Sequence, residues 1–233
     1  KFTRMKKITL IILIMLSVAG LQAQNIFFPT KVGSVQTYAT LNNKGKVEGY
    51  VRQTITDIKG GGNDMTISYL SEIVDKENKD GEAKMSIPLT IHIKDGIMYF
   101  DLNSMMPAQK DQPQMGELKM EITGAPTEIP TNLQVGQTLK DANMVMSMNM
   151  GFIKMKTEVN LTNGKCLAIE DVTVPAGTYK SHKVTQTAQA TVMKIKSTTT
   201  TITWYAPGVG TVKSETYDKD NKLQSSMELV ASK

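Results

Sequence analysis

The side chains best suited to acid–base chemistry are two histidines, His92 and His182, which lie ninety residues apart. His92 could be a general base or a metal ligand, but beside Tyr99 it is more simply interpreted as a surface pair, and His182 has no carboxylate or cysteine at the spacing of a metal site. A hydrolytic triad needs a nucleophile, a base and an orienting acid that converge in a cleft, and we find no sharp nucleophile turn in the sequence. We therefore predict that the protein is not an enzyme, and that it holds neither a metal nor another cofactor.

Three further patterns could carry chemistry but have simpler interpretations. The glycine cluster at 60–62 lacks the lysine, the Ser/Thr and the following helix of a phosphate-binding loop, so it predicts a turn. Asp57 and Asp171 could act as paired carboxylates, but their places beside turn signals favour a structural role. Cys166 is the single cysteine, so it cannot form a disulfide framework, and we interpret it as a buried apolar residue.

The first 23 residues have the pattern of a secretory signal peptide. Four basic side chains flank the start of an uncharged apolar run at 8–18, and a small residue, Ala23, marks the predicted cleavage site. Removal of these four charges lowers the formal net charge from +5 to +1. We therefore expect an exported protein, most simply periplasmic, with secretion or the cell surface as alternatives. No nucleic-acid partner and no transmembrane segment in the mature chain are expected.

A methionine-rich stretch gives the clearest structural pattern. Apolar side chains at every second position predict a strand with one apolar face; they are Met144, Met146, Met148, Met150 and Phe152. The phase changes at Phe152-Ile153, which predicts a bulge or a bend. The dipeptide Asn163-Gly164 then predicts a type I′ hairpin in which Leu161 faces Cys166.

The rest of the chain predicts one all-β domain over residues 24–233. Recurrent glycine, proline and asparagine turns imply roughly ten antiparallel strands. At Asp95-Gly96 a second hairpin is predicted, with Lys94 opposite Ile97 and His92 opposite Tyr99. The most economical arrangement is a single curved antiparallel sheet, or half-barrel. An irregular segment around 103–130 is expected to be a lid or a connection and to include a short strand at 118–122.

Two parts of the chain repeat a short motif. Residues 130–136, with the sequence PTNLQVG, resemble residues 29–33, with the sequence PTKVG. We therefore predict two related halves, at 30–100 and 131–217. A structure without pseudo-symmetry between these halves would contradict the prediction.

The last third of the chain carries a family resemblance. The segments VPAGTY at 174–179 and WYAPGVG at 204–210, followed by Val212-Lys213, resemble an exported bacterial β-domain family of unknown function that is labelled TapB-like. Both motifs are turns, so the resemblance implies a fold and no reaction. The expected architecture also looks like the half-barrel of LolA-type periplasmic lipoprotein carriers, whose concave face holds acyl chains.

Two functions are compatible with these patterns. The first is a non-catalytic exported binding protein whose concave apolar face accepts an acyl chain or an apolar protein segment, because methionine suits adaptable apolar surfaces. Its candidate lining residues are Met144, Met146, Met148, Met150, Phe152 and Trp204. The alternative is an envelope assembly protein that binds protein partners without a small ligand. The favoured interpretation of the methionine stripe by itself is ordinary core packed under residues 103–130, and no oligomeric state is predicted.

Overall fold

The computed structural model describes residues 25–105, 118–150 and 153–233. These residues form one antiparallel sheet of thirteen strands, which confirms the predicted all-β class and single sheet. The strands are β1 (Val35–Asn42), β2 (Val47–Gly61), β3 (Asp64–Val74), β4 (Ala83–Lys94), β5 (Ile97–Phe100), β6 (Leu118–Ala125), β7 (Glu128–Pro130), β8 (Ala142–Met150), β9 (Ile153–Val174), β10 (Gly177–Val192), β11 (Ile195–Ala206), β12 (Gly210–Asp218) and β13 (Leu223–Ser232).

The order of the strands shows that the sheet is strongly curved. Across the sheet the order is β6-β8-β9-β10-β11-β12-β13-β1-β2-β3-β4-β5-β7, so β6 and β7 are its two terminal strands. Yet β6 ends at Ala125 and β7 begins at Glu128. Three residues span at most about 11 Å, so the two edges of the sheet must approach each other there. Within the described residues the sheet therefore curls round an interior without closing by hydrogen bonds.

The main hydrophobic cluster fills one face of this curved sheet. It joins Ile67 and Ile93 of the first half of the sheet to Cys166 and Val184 of the second half, all of them buried. The segment before β1 packs into the same cluster through Phe27 and Phe28. The prediction that Cys166 is buried is confirmed, and the free thiol is fully enclosed.

The hairpin at Asp95-Gly96 has the predicted register. Lys94 pairs with Ile97 and His92 pairs with Tyr99. Both turn residues have positive φ, 52° at Asp95 and 74° at Gly96, as a type I′ turn requires. Alternation then places the side chain of His92 on the face opposite that of its buried neighbours in β4.

The predicted hairpin at Asn163-Gly164 is wrong. Strand β9 runs through this dipeptide, and Leu161 pairs with Ala142 and Ala188 instead of facing Cys166. Strands β8 and β9 on either side of the predicted bulge or bend at 152–153 pair antiparallel, with Met150 opposite Ile153, so the methionine stripe does not continue as one strand; Phe152 itself lies outside the described residues. Asn163 has positive φ, and Asn163 and Gly164 of β9 together lie opposite one residue of β10, Gln186. Two residues opposite one are a bulge.

Gly164 is required because a neighbouring segment lies against it. The backbone N–H of Leu139 donates to the Gly164 carbonyl at 2.8 Å, and a Cβ at Gly164 would lie 2.8 Å from the Leu139 Cβ. We expect Gly164→Ala to lower the free energy of unfolding by about 1–3 kcal/mol through this overlap. Urea denaturation measures the change. Gly61→Ala is the matched control because nothing lies within 4 Å of its Cβ position, and an equal loss in both variants would contradict the interpretation.

The relation between the two halves stays a prediction, but one local arrangement supports it. Gly33 and Gly136, the last residues of the two repeated motifs, both have positive φ. The N–H of Gly33 donates to the carbonyl of Ile55 in β2, and the N–H of Gly136 donates to the carbonyl of Cys166 in β9. Each strand is bulged directly after that buried residue.

The irregular segment is only partly within the described residues. A 3₁₀ turn at Leu102–Met105 follows β5, and residues 106–117 lie outside the described part of the chain. The predicted short strand at 118–122 is confirmed, although β6 extends further, to Ala125. Strand β6 and strand β7 together make this segment the connection between the two edges of the sheet.

Candidate ligand-binding site

A cavity of about 280 Å³ lies on the face of the sheet that carries the main hydrophobic cluster. Ten strands contribute to it, from β10 across the sheet to β7, together with the two phenylalanines of the segment before β1. Most of the lining is aromatic or aliphatic; it comprises Phe27, Phe28, Tyr38, Gln53, Tyr69, Ile91, Met98, Tyr99, Phe100, Thr127, Ile129, Gln186, Tyr205, Thr211 and Met227. An apolar cavity with a few polar groups is the usual form of a small-molecule site.

The polar groups of the cavity are neutral. Burial raises the pKa of the phenols of Tyr38, Tyr69 and Tyr205, so all three stay protonated at neutral pH. The amide Nε2 of Gln186 is buried and has no hydrogen-bond partner within the described residues. A buried donor without an acceptor costs about 1–3 kcal/mol. A ligand atom that accepts a hydrogen bond from Gln186 Nε2 would therefore remove this energetic cost.

Replacement of this amide tests its cost. We expect Gln186→Leu, which keeps the shape of the side chain, to raise the free energy of unfolding by about 1 kcal/mol because the unsatisfied donor disappears. For a domain of this size, that gain raises Tm by about 2–4 °C. Calorimetry of the ligand-free protein measures it, with Gln189→Leu on the exposed part of β10 as the control. A lower Tm for Gln186→Leu would mean that the amide has a stabilising partner.

Three of the predicted lining methionines lie on the cavity face. Met144 pairs with Val159, Val159 pairs with Ala190, and Ala190 lies on the same face of β10 as Gln186. Met146 and Met148 follow on that face and are half-buried, as is Met144. Of Met150 only the strand position is described, and Phe152 lies outside the described residues. The methionine stripe thus extends the cavity face without lining the cavity itself.

Trp204 lies on the opposite face. It pairs with Lys183, which alternates with the cavity-facing Val184 and Gln186 along β10. The indole is 7% exposed, and its Nε1 donates to Glu170 Oε1 at 2.7 Å. The Nζ atoms of Lys183 and Lys213 lie 5.1 and 5.8 Å from the ring centroid. Trp204 therefore does not lie with the methionines. It contacts the charged side chains of Glu170, Lys183 and Lys213 instead.

The two histidines and the two aspartates form no common site. Asp57 is in β2 and Asp171 in β9, which are not neighbouring strands. Thr66 Oγ1 lies 3.1 Å from His92 Nδ1, and Asp101 Oδ2 lies 3.5 Å from His92 Nε2. This arrangement sits on the half-buried face of β3, β4 and β5, beside Tyr99, in agreement with the predicted surface pair. His182 is buried, and its ring meets Phe27 edge to face at a centroid distance of 4.9 Å.

Burial of His182 predicts a specific pH dependence of stability. Desolvation lowers the pKa of His182 below its usual 6.5, against backbone hydrogen bonds that raise it. Below pH 6.5 the unfolded chain then binds more protons than the folded chain, so this contribution to stability is complete above pH 6.5 and declines as the pH falls. We expect the loss between pH 7.5 and 5.5 in urea denaturation to shrink in His182→Gln and to persist in His92→Gln. An unchanged loss in His182→Gln would contradict this assignment.

The described residues show neither a metal site nor a membrane-spanning helix. Among the described histidine, cysteine and acidic side chains, no group of three or more is placed to hold a metal ion. In the same part of the chain, no helix is long and apolar enough to cross a bilayer.

The cavity residues were not predicted from the sequence. Gln186 lies in a strand with no distinctive pattern, and Phe27 and Phe28 precede the first strand. The alternation of Met65, Ile67 and Tyr69 in β3 was a usable signal for one face, since all three are buried. This face of β3 meets β10 across the interior because the whole sheet is curved. No local sequence pattern predicts that curvature.

Comparisons with known proteins identify the family and the fold. The family model described as DUF3108-like matches residues 31–229. A solved structure from Bacteroides fragilis, described as an exported protein with a YmcC-like fold, matches with a TM-score of 0.70 at 20% identity, over 89% of this chain and 98% of that one. A Parabacteroides distasonis protein described as a lipoprotein matches with a TM-score of 0.73 at 19% identity, over 91% and 100%. No curated protein matches the chain significantly.

Proposed function

The chain belongs to the DUF3108-like family, and from this premise we propose that it is an exported, non-catalytic protein that binds an acyl chain inside its curved sheet. Export is supported by the leader pattern of residues 1–23 and by the descriptions of the two structural relatives as exported and as a lipoprotein. The matched family is the DUF3108-like one; the resemblances to the TapB-like family and to LolA-type carriers rest on sequence motifs and architecture alone.

The observation that carries the proposal is the cavity. Its volume of about 280 Å³ is near the lower end of small-molecule sites, which occupy about 300–1,000 Å³. An apolar cavity of about 150 Å³ already takes up benzene, so this one has room for part of a single hydrocarbon chain. The buried amide of Gln186 supplies a donor for the polar end of such a ligand.

The half-buried methionines extend the same face beyond the cavity. Met144, Met146 and Met148 share the face of Gln186, and methionine adapts its shape to varied apolar partners. An acyl chain longer than the cavity would lie along this stripe. In this proposal Trp204 has no contact with the ligand because it faces the other way.

Titration with a fluorescent fatty acid tests the proposal. We expect saturable binding to the processed protein, and displacement by unlabelled fatty acids. Gln186→Leu should weaken the binding of a fatty acid about fivefold, since it removes a hydrogen bond worth about 1 kcal/mol, while a hydrocarbon without a polar end should bind equally to both proteins. Fluorescence that is unsaturable, or that no fatty acid displaces, would refute acyl-chain binding.

A second candidate, an envelope assembly protein, is supported by the edges of the sheet. Within the described residues, β6 pairs with β8 alone and β7 pairs with β5 alone. An unpaired strand edge can accept a strand of another protein. This function predicts that the purified protein carries a stoichiometric protein partner and no lipid.

A further inference from the structure

The hairpin between β10 and β11 exposes an apolar tip surrounded by lysines. Val192, Met193 and Ile195 are 39%, 62% and 75% exposed. Ile195 is the most exposed large apolar side chain among the described residues. Lys194 and Lys196 are exposed beside them. Single exposed apolar residues are ordinary, whereas three within four positions form a patch that indicates an interaction surface.

The backbone conformation of the turn is unfavourable for the residues that form it. Met193 and Lys194 both have positive φ, 48° and 79°. Glycine and asparagine adopt this conformation readily, and longer side chains are strained in it. The described structure packs neither the Met193 side chain nor the Ile195 side chain into either hydrophobic cluster. Strain that serves no internal contact points to a function of the exposed side chains.

The tip is continuous with the methionine stripe. Met146 pairs with Thr157, Thr157 pairs with Val192, and Val192 pairs with Ile195. The side chains of one such cross-strand row lie on the same face of the sheet. The apolar face that starts at the cavity therefore reaches the exposed tip.

We propose that the β10–β11 tip docks on a membrane surface that contains anionic lipids, with Met193 and Ile195 at the boundary between headgroups and acyl chains. Exposed apolar side chains flanked by lysines have the chemistry of an interfacial anchor, and each lysine close to an anionic surface adds attraction. Lys156 lies beside the tip, where it pairs with Glu158 at 2.5 Å. The tip shares no residue with the lining of the cavity, so the two proposals can fail separately.

Another exposed apolar pair on the sheet lacks this charge pattern. Ile73 and Met85 pair across β3 and β4 and are 44% and 53% exposed. The loop that joins these two strands, residues 75–82, has a net negative charge: Asp75, Glu77, Asp80 and Glu82 outnumber Lys76 and Lys79. An acidic loop is repelled by anionic lipids, so charge complementarity distinguishes the β10–β11 tip from this pair.

Vesicle co-sedimentation tests the proposal with protein purified after export, so that the predicted leader is absent. We expect binding to vesicles of phosphatidylcholine with phosphatidylglycerol, and at least tenfold weaker partitioning to phosphatidylcholine alone. The variant Met193→Ser/Ile195→Ser should lose at least tenfold in partitioning. Lys194→Gln/Lys196→Gln should lose the electrostatic part of the binding. About 0.5 M salt should remove the same part from the native protein, because salt screens exposed charges. Met85→Ser is the matched control and should bind like the native protein.

Three results would overturn the proposal: no binding to anionic vesicles, equal binding by the tip variant, or equal loss in Met85→Ser. Sedimentation velocity tests whether a second copy of the chain, instead of a membrane, covers the tip. A dimer that dissociates in Met193→Ser/Ile195→Ser would show that a second copy of the chain covers the tip, which also overturns membrane docking. Met193 and Ile195 are both exposed, so the thermal unfolding of the variant should match that of the native protein. Fatty-acid binding should be unchanged in it.

Discussion

Replacement of Trp204 by alanine is expected to lower the free energy of unfolding by about 3–5 kcal/mol, the usual cost of removing a buried tryptophan. Trp204 is the centre of a cluster on the face opposite the cavity, where its ring lies between Lys183 and Lys213. Its Nε1–H donates to Glu170, and this hydrogen bond holds the pKa of that carboxyl below its usual range. The substitution removes the apolar contact surface and leaves three charged side chains without their common neighbour.

Equilibrium denaturation in urea at pH 7 measures this loss. Trp204→Phe should cost only about 1 kcal/mol, because the ring contact remains and the hydrogen bond to a partly exposed carboxylate is lost. Leu167→Ala, on β9 and 42% exposed, is the control and should change stability by less than about 1 kcal/mol. A loss of that small size for Trp204→Ala would show that the cluster contributes little. Fatty-acid affinity should be unchanged in Trp204→Phe, since Trp204 faces away from the cavity.

Filling of the cavity is expected to weaken fatty-acid binding about 10- to 100-fold. Ile91 is 7% exposed and lines the cavity from β4, so Ile91→Trp would occupy space that the ligand needs. Insertion of extra groups into a packed interior costs about 1–3 kcal/mol, and each 1.4 kcal/mol is a factor of ten in Kd. In the ligand-free protein the new ring can occupy the empty cavity. The loss in the free energy of unfolding should therefore be much smaller than the loss in the free energy of binding.

A second filling variant protects this prediction from misfolding. Met227→Trp enters the cavity from β13, in the other half of the sheet. Both variants should lose affinity while their circular dichroism stays native. Ile73→Trp, at a 44% exposed position that does not line the cavity, is the control and should bind like the native protein. Native affinity in both filled variants would place the ligand elsewhere.

Local patterns determined the class of the fold and some of its hairpins. Asp95-Gly96 was predicted correctly because both residues adopt the positive φ of a two-residue turn and the register of β4 with β5 follows directly from that turn. The same kind of dipeptide at Asn163-Gly164 was misinterpreted. There the positive φ of Asn163 serves a bulge, and the space of Gly164 serves a contact with Leu139. An Asn-Gly pair specifies a local conformation, and distant segments decide whether the chain reverses.

The reverse error occurred at Met193-Lys194. A strand from Tyr179 to about Ile195 and a following Thr-rich strand were predicted, but the turn between them was not located, because neither Met193 nor Lys194 is typical of a positive-φ position. The face of Trp204 was also assigned wrongly. Its face follows from alternation along β10 and from the register between β10 and β11, and the sequence supplies no register for that pair.

Native mass spectrometry of the protein purified from its own cell envelope without detergent tests acyl-chain binding most directly. The cavity predicts an additional mass of a single lipid or fatty acid on the native protein, and its loss in Ile91→Trp and Met227→Trp at unchanged folding. A native protein that carries no such mass, or filled variants that carry it undiminished, would contradict the proposal that the curved sheet encloses an acyl chain.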